Sequence, residues 1–170
     1  MTDEAMVPAI RFKTKELIEI LKAAGFTLAT AESCTGGWVA QAITAVPGSA
    51  EIFDCGWVTY SNAAKERCLG VEKQVLADFG AVSSQTAIAM AEGALRHSEA
   101  TISVATTGIA GPSGGSSEKP VGTVWFAWAD RDRPTQVELK VFSGDREAIR
   151  AQAVLFALNG LITILSPLNA

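Results

Sequence analysis

The fold is indicated by one stretch near the start of the chain, Phe26-Thr27-Leu28-Ala29-Thr30-Ala31-Glu32-Ser33-Cys34-Thr35-Gly36-Gly37. Its first half, residues 26–31, is apolar and β-branched and predicts a short buried strand. Gly36 and Gly37 then open a helix that we expect to run to Pro47-Gly48. A strand that turns directly into a helix is the repeating unit of layered α/β domains.

A helix is predicted before this strand. Its apolar residues fall at helical spacing, at Leu17, Ile18, Leu21 and Ala24. We expect Thr14 to cap the start of this helix and Gly25 to end it.

Helices and strands alternate over the rest of the chain. Strands are predicted at 53–60, 102–107, 121–129 and 136–142. Helices are predicted at 61–70 and 72–79, from Ser83 or Ser84 to about His97, and from Asp145 onward. The last two strands should form an antiparallel hairpin, whose second strand has Val137, Leu139 and Val141 on one face. We therefore expect an α/β domain with a mixed, mostly parallel five-stranded sheet.

The composition fits one domain and argues against several kinds of partner. The chain has 170 residues, 48% of them hydrophobic, and a formal net charge of −4. This length predicts a single domain over residues 1–170. Because no run of Lys or Arg is present, we expect no nucleic-acid partner and no anionic membrane surface. Three cysteines and one histidine supply neither a disulfide framework nor a zinc site, so no metal is expected.

The chain is expected to be cytoplasmic. Its first residues are acidic where a signal peptide would carry positive charge. The most apolar segment, residues 151–165, is interrupted by Gln152, Asn159 and Gly160 and is too short to span a bilayer.

Polar segments are predicted to converge at one edge of the sheet. In open α/β sheets, ligands bind beyond the carboxyl ends of the parallel strands. The segments that follow those ends are residues 32–37, 60–65, 106–112 and 143–146. Most of them contain glycine, and their convergence predicts a ligand site there.

Ser33 and Lys65 are the candidate nucleophile and base at this edge. Ser33 lies where a strand turns into a helix whose N–H groups could hold an oxyanion, although an N-cap serine suits the same position. His97, the only histidine, is predicted far from this edge, which argues against a Ser-His-Asp triad. Lys65 could act as the base if burial keeps it neutral, whereas an exposed helix lysine is the ordinary alternative. Tyr60 could orient or relay a proton.

A glycine-rich loop at 108–115 is the candidate anion site. Its backbone amides could surround a phosphate, although a flexible connection has the same composition. It does not match the P-loop of nucleotide triphosphatases. Arg146 could contact the anion through both guanidinium nitrogens, or it could pair with Glu147 or Glu118 at the surface.

Several motifs resemble those of the CinA C-terminal domain family over about residues 17–165. They are Ala31-Glu32-Ser33-Cys34-Thr35-Gly36-Gly37, Tyr60-Ser61-Asn62-x-x-Lys65, Thr107-Gly108-Ile109-Ala110-Gly111-Pro112, Gly114-Gly115, Lys119-Pro120-Val121-Gly122-Thr123-Val124 and Phe142-x-Gly144-Asp145-Arg146. The resemblance implies a three-layer α/β/α domain with a mixed sheet. It also implies hydrolysis of the carboxamide of nicotinamide mononucleotide, which gives nicotinate mononucleotide and ammonia.

The resemblance also assigns residues. The catalytic serine of the family corresponds to Ser33, its lysine to Lys65 and its active-site tyrosine to Tyr60. The predicted substrate contacts are Thr35, Gly36, Thr107, Gly108, Gly111 and Arg146. No organic cofactor or metal is expected. Larger members carry an additional pyrophosphatase domain, for which this chain has no room, so we expect the amidohydrolase domain alone.

Two other functions are compatible with the sequence. The first is a serine amidase for another small amide, in which the glycine loop holds no phosphate. The second is a nucleotide-binding or regulatory module without catalysis. The apolar last helix and the tryptophans make a homodimer the expected assembly.

Overall fold

Residues 3–166 are described by a computed structural model, in which helices cover both faces of one five-stranded sheet. The helices are α1 (Asp3–Ala24), α2 (Trp38–Thr44), α3 (Asn62–Leu69), α4 (Lys73–Phe79), α5 (Ser84–Arg96) and α6 (Arg146–Leu165), with a 3₁₀ helix at Ser49–Glu51. The strands are β1 (Leu28–Glu32), β2 (Phe53–Val58), β3 (Ile102–Gly108), β4 (Thr123–Asp130) and β5 (Gln136–Val141). Each predicted helix and strand is present, in the predicted order.

The strand order brings four carboxyl ends to one edge of the sheet. The order is β2-β1-β3-β4-β5. β1 is parallel to β2 and to β3, whereas β4 is antiparallel to both of its neighbours. β5 therefore points in the same direction as the first three strands. The predicted mixed sheet is confirmed, and only β4 runs against the others.

The two faces of the sheet are covered by different helices. On one face, α1, α2 and α6 pack against large side chains of the sheet, including Val104 and Phe126. On the other face, α3, α4 and α5 pack against alanines, among them Ala29, Ala105 and Ala127. This arrangement confirms the three-layer α/β/α architecture.

The first helix begins earlier than the sequence predicted. α1 starts at Asp3, so Thr14 lies in its middle and does not cap its start. The Thr14 hydroxyl is buried and donates to the Ile10 carbonyl oxygen at 2.8 Å. The prediction was wrong because Met6 and Ile10 extend the buried apolar stripe toward the N-terminus. Gly25 follows the last helical residue, as predicted.

The apolar face of β5 is exposed. Val137, Leu139 and Val141 share one face as predicted, but they are 38%, 42% and 58% exposed. The reason is that β5 is the last strand of the sheet, and the buried cluster under α3, α4 and α5 includes side chains of β1, β3 and β4 but not of β5.

The most apolar helix, α6, is part of the core. By length and composition alone it could cross a membrane. However, Ile149, Val154, Leu158 and Leu161 are buried against the rest of the protein. A helix buried in a protein core needs the same apolar composition.

Candidate active site

The nucleophile candidate lies in a tight turn between β1 and α2. Ser33 follows the last residue of β1, and its N–H donates to the Thr106 carbonyl oxygen of β3 at 2.9 Å. The turn closes when the Gly36 N–H donates to the Ser33 carbonyl oxygen at 3.1 Å. Gly36 and Gly37 have φ angles of 64° and 94°, a region that favours glycine. The turn therefore requires the two glycines of the motif.

Lys65 is buried beside Ser33. Its Nζ lies 3.0 Å from Ser33 Oγ and donates to the Thr59 carbonyl oxygen at 2.8 Å. The side chain is held on α3, whose N-cap Ser61 accepts a hydrogen bond from the Ala64 N–H at 3.1 Å. With 1% of its surface exposed, Lys65 is not the solvated helix lysine that the sequence left open.

Burial shifts the proton affinities of two groups in the site. Desolvation lowers the pKa of Lys65 below its ordinary value, and the neighbouring Cys34 has a smaller opposite effect. Desolvation also raises the pKa of the Cys34 thiol to about 12. Cys34 therefore stays protonated at neutral pH and is a poor nucleophile, although it adjoins Ser33.

The Ser33–Lys65 pair opens into a cleft of about 190 Å³. The cleft is lined by Ser33, Cys34, Tyr60, Lys65, Ala81, Val82, Thr107, Gly108, Ala110 and Arg146. A larger hollow of about 400 Å³ lies at the opposite edge of the sheet, with Arg96, Arg131 and Arg133 in its wall. That hollow is shallow and has no serine, cysteine or lysine in its wall, so the smaller cleft is the candidate active site.

Tyr60 and Arg146 meet at the rim of the cleft. Arg146 Nη2 donates to Tyr60 Oη at 2.9 Å, and its Nη1 donates to the Gly111 carbonyl oxygen at 2.6 Å. Within residues 3–166, Tyr60 Oη has no hydrogen bond to Ser33 or Lys65, so the geometry does not provide the proton relay considered for Tyr60. The phenol is 63% exposed and forms part of the entrance.

Three of the predicted substrate contacts do not line the cleft. Thr35 is fully buried, and its hydroxyl donates to Glu32 Oε2 at 2.7 Å. Gly36 lies on the exposed side of the turn, because the chain reverses direction after Ser33. Gly111 touches the site only through the carbonyl group that accepts from Arg146. The substrate contacts of these three residues stay predictions.

The other predicted contacts lie in the cleft wall. Thr107 and Gly108 line it together with Arg146. The Thr107 hydroxyl donates to the Ala81 carbonyl oxygen at 2.7 Å and so joins β3 to the segment before α5. The sequence did not indicate that Ala81 and Val82 form a wall of the cleft, since neither is polar.

The buried carboxylate of Glu32 was not predicted from the sequence. Oε2 accepts from Thr35 Oγ1 at 2.7 Å and from the N–H groups of Gly37 and Val39 at 3.0 Å, and Oε1 accepts from the Ala40 N–H at 2.8 Å. The N–H groups at the start of α2 are therefore occupied, and the prediction that they hold an oxyanion is wrong. An acidic residue just before a helix is the signal that could have indicated this contact.

Arg150 was also missed. It lies one turn after Arg146 on α6, and its Nε and Nη2 donate to the Cys34 and Thr35 carbonyl oxygens at 3.2 and 2.8 Å. Its guanidinium carbon lies 5.5 Å from the centre of the Trp38 ring. Arg150 thus binds the turn after Ser33 from outside, while Glu32 binds it from within.

Comparison with known proteins identifies the family. The profile of the CinA C-terminal domain matches residues 11–165. This chain belongs to the CinA C-terminal domain family. It is 48% identical over 161 residues to the nicotinamide-nucleotide amidohydrolase PncC of Escherichia coli (strain K12), with 95% of each chain covered. It is 54% identical over 135 residues to the PncC of Pseudomonas putida, with 79% of this chain and 84% of that protein covered.

Solved structures of the CinA family have the same fold. The competence/damage inducible protein CihA from Agrobacterium tumefaciens superposes with a TM-score of 0.89 at 44% identity, covering 92% of this chain and 95% of that one. In the present structure, four of the segments that resemble CinA-family motifs surround a single cleft. They contribute Ser33, Lys65 with Tyr60, Thr107 and Arg146.

Proposed function

We propose that this chain is a nicotinamide-nucleotide amidohydrolase that converts nicotinamide mononucleotide to nicotinate mononucleotide and ammonia. The observation that carries this proposal is the buried Lys65 Nζ, 3.0 Å from Ser33 Oγ, in a cleft at the carboxyl edge of the sheet. The 48% and 54% identity to two PncC amidohydrolases supports the choice of substrate.

The first step is activation of Ser33 by neutral Lys65. The lone pair of Nζ accepts the proton of the Ser33 hydroxyl, while an N–H of the same amine donates to the Thr59 carbonyl. The lowered pKa of Lys65 supports this role, since only the neutral amine can act as a base. Ser33 Oγ then attacks the carboxamide carbon to form a tetrahedral intermediate.

The later steps return the enzyme to its starting state. Protonated Lys65 gives its proton to the leaving nitrogen, the C–N bond breaks, and ammonia departs from an acyl ester on Ser33. Lys65 then takes a proton from water, whose oxygen attacks the ester carbon. The bond between Ser33 Oγ and the ester carbon breaks, protonated Lys65 returns its proton to Ser33, and nicotinate mononucleotide is released.

The ribose and phosphate extend to the rim of the cleft. A cavity of about 190 Å³ is smaller than the roughly 300–1,000 Å³ of pockets that enclose a drug-sized ligand. We therefore place the pyridine ring and carboxamide inside and the phosphate near Arg146. The phosphate would replace Tyr60 Oη or the Gly111 carbonyl as an acceptor of the guanidinium N–H groups.

The test is ammonia release from nicotinamide mononucleotide by wild type, Ser33→Ala and Lys65→Met, with Lys73→Met as the lysine control. The side chain of Lys73 is 88% exposed, so this control should keep full activity. We expect both site variants to lose about 10³-fold or more in kcat, and an acyl adduct to be trapped on Ser33 in wild type. Full activity of Ser33→Ala would rule out the mechanism.

Two outcomes would favour the other functions. Equal cleavage of free nicotinamide and the mononucleotide would favour an amidase without a phosphate site. Binding of the mononucleotide without release of ammonia would favour a binding module. The expected homodimer stays a prediction, which sedimentation analysis would measure.

A further inference from the structure

An oxyanion at Ser33 needs N–H donors that the start of α2 does not supply. The Val39 and Ala40 N–H groups donate to Glu32. The Trp38 N–H donates to the Thr35 carbonyl oxygen at 3.3 Å, and the Gln41 N–H donates within the helix. The donors must therefore come from elsewhere in the turn.

The turn has two N–H groups that remain available. Within residues 3–166, the N–H groups of Cys34 and Thr35 have no protein acceptor, whereas the Gly36 N–H is bound to the Ser33 carbonyl oxygen. Cys34 directly follows Ser33 and lines the cleft. The N–H of the residue after the nucleophile is the oxyanion donor in hydrolases that place their serine on a strand-to-helix turn.

Arg150 binds the carbonyl groups of this same turn. The Cys34 carbonyl that it holds belongs to the peptide group that carries the Thr35 N–H. Because a peptide group is planar, fixing its carbonyl also fixes the direction of its N–H. A hydrogen bond to the carbonyl also polarises the N–H and makes it a better donor.

The guanidinium of Arg150 is itself held in place. It packs against the Trp38 ring and lies directly over Gly36, where an added Cβ would be 3.2 Å from Nη2. Arg150 is not among the residues that line the cleft, in contrast to Arg146. It can therefore influence the reaction through the turn without touching the substrate.

We propose that Arg150 is a positioning residue, which fixes the peptide group between Cys34 and Thr35 so that the Thr35 N–H, together with the neighbouring Cys34 N–H, binds the oxyanion. The proposal rests on the proposed function, since it requires Ser33 to be the nucleophile. It predicts that loss of Arg150 lowers kcat and leaves substrate binding almost unchanged.

The test compares Arg150→Met and Arg150→Lys with wild type, Ser33→Ala and the exposed control Arg67→Met. Removal of a single oxyanion donor costs about 10²–10³-fold in kcat, so misalignment after Arg150→Met should cost about 10–100-fold, with KM changed less than about twofold. Arg150→Lys should recover part of the loss, since one ammonium can bind one of the two carbonyls. Arg67→Met should match wild type.

A second measurement distinguishes a positioning role of Arg150 from a non-specific disturbance of the folded structure. The aldehyde analogue of the substrate adds to Ser33 and generates the oxyanion, whereas nicotinate mononucleotide does not. Arg150→Met should weaken binding of the aldehyde by the same factor by which it lowers kcat, and it should leave binding of the product unchanged. If the melting temperature shows that Arg150→Met does not fold, the affinities for the aldehyde and for the product are compared in Arg150→Lys instead.

The outcomes distinguish the two proposals. Wild-type kcat and aldehyde binding in Arg150→Met, with Ser33→Ala inactive, would overturn the role of Arg150 and leave the proposed function standing. A raised KM with unchanged kcat would also overturn it, because Arg150 would then be a substrate contact. An active Ser33→Ala would overturn both.

Discussion

Replacement of Glu32 should destabilise the fold by an amount that its hydrogen bonds determine. Oε2 accepts three hydrogen bonds and Oε1 accepts one, and the side chain is 1% exposed. In Glu32→Gln, the amide oxygen can keep the three bonds, but the NH₂ group then faces the Ala40 N–H. A lost bond to a charged group, together with a buried unsatisfied donor, costs about 3 kcal/mol.

The alanine variant removes all four acceptor contacts. We expect Glu32→Ala to cost about 4–6 kcal/mol, with some relief from water that enters the vacated space. Since the free energy of unfolding of a domain is about 5–15 kcal/mol, this variant should be marginally folded or unfolded.

Urea unfolding of both variants, followed by circular dichroism, measures these costs. Glu51→Gln is the matched control, because Glu51 pairs with Lys22 at 3.0 Å but its side chain is 69% exposed. An exposed pair of this kind contributes about 0–1 kcal/mol. A loss below about 1 kcal/mol in Glu32→Gln would refute the reasoning, since the donors at the start of α2 would then be satisfied without the carboxylate.

Three further predictions concern ionisable side chains. Because the base must be neutral, kcat/KM should rise with pH as Lys65 loses its proton, with a midpoint below the ordinary lysine pKa of about 10.4; a rate independent of pH would argue against Lys65 as the base. Because the pKa of Lys65 is lower in the folded state, the unfolded chain binds its proton more tightly and Lys65 opposes folding at neutral pH, so Lys65→Met should be inactive but no less stable than wild type in thermal unfolding. Iodoacetamide at pH 8 should modify the partly exposed Cys68 in the native protein but not Cys34, whose pKa is about 12; peptide mass spectrometry measures both, and rapid labelling of Cys34 would show that its thiol is reactive.

Element boundaries could be predicted where the signal lies within a few residues of the boundary. Ser61 and Ser83 cap α3 and α5 with their side chains, and Gly70 and Gly80 end α3 and α4. These residues act through short-range hydrogen bonds and backbone conformation, which depend little on the rest of the fold. The start of α1 was missed because Thr14 resembles a cap and is instead buried in the helix.

The sequence predicted the edge of the sheet at which the candidate site lies. Polar residues after parallel strands indicated where Ser33, Lys65, Thr107 and Arg146 would meet, because the carboxyl ends of those strands share one edge. The family resemblance then assigned the roles. The sequence could not show that Thr35 and Gly36 lie outside the cleft wall, because the direction of a turn residue depends on how the turn packs.

The sequence by itself determined the α/β class, the order of the helices and strands, and the edge of the sheet at which the candidate catalytic and substrate-binding residues meet. Only the tertiary structure decided that Lys65 is buried against Ser33, that Glu32 occupies the N–H groups of α2, and that Arg150 holds the turn. The physical reason is the distance along the chain over which the deciding interactions act. Caps and turns act over a few residues, whereas the Lys65–Ser33 contact joins residues 32 apart and the Arg150–Cys34 contact joins residues 116 apart. Such contacts, and the desolvation that accompanies them, form only when the layers of the domain pack together.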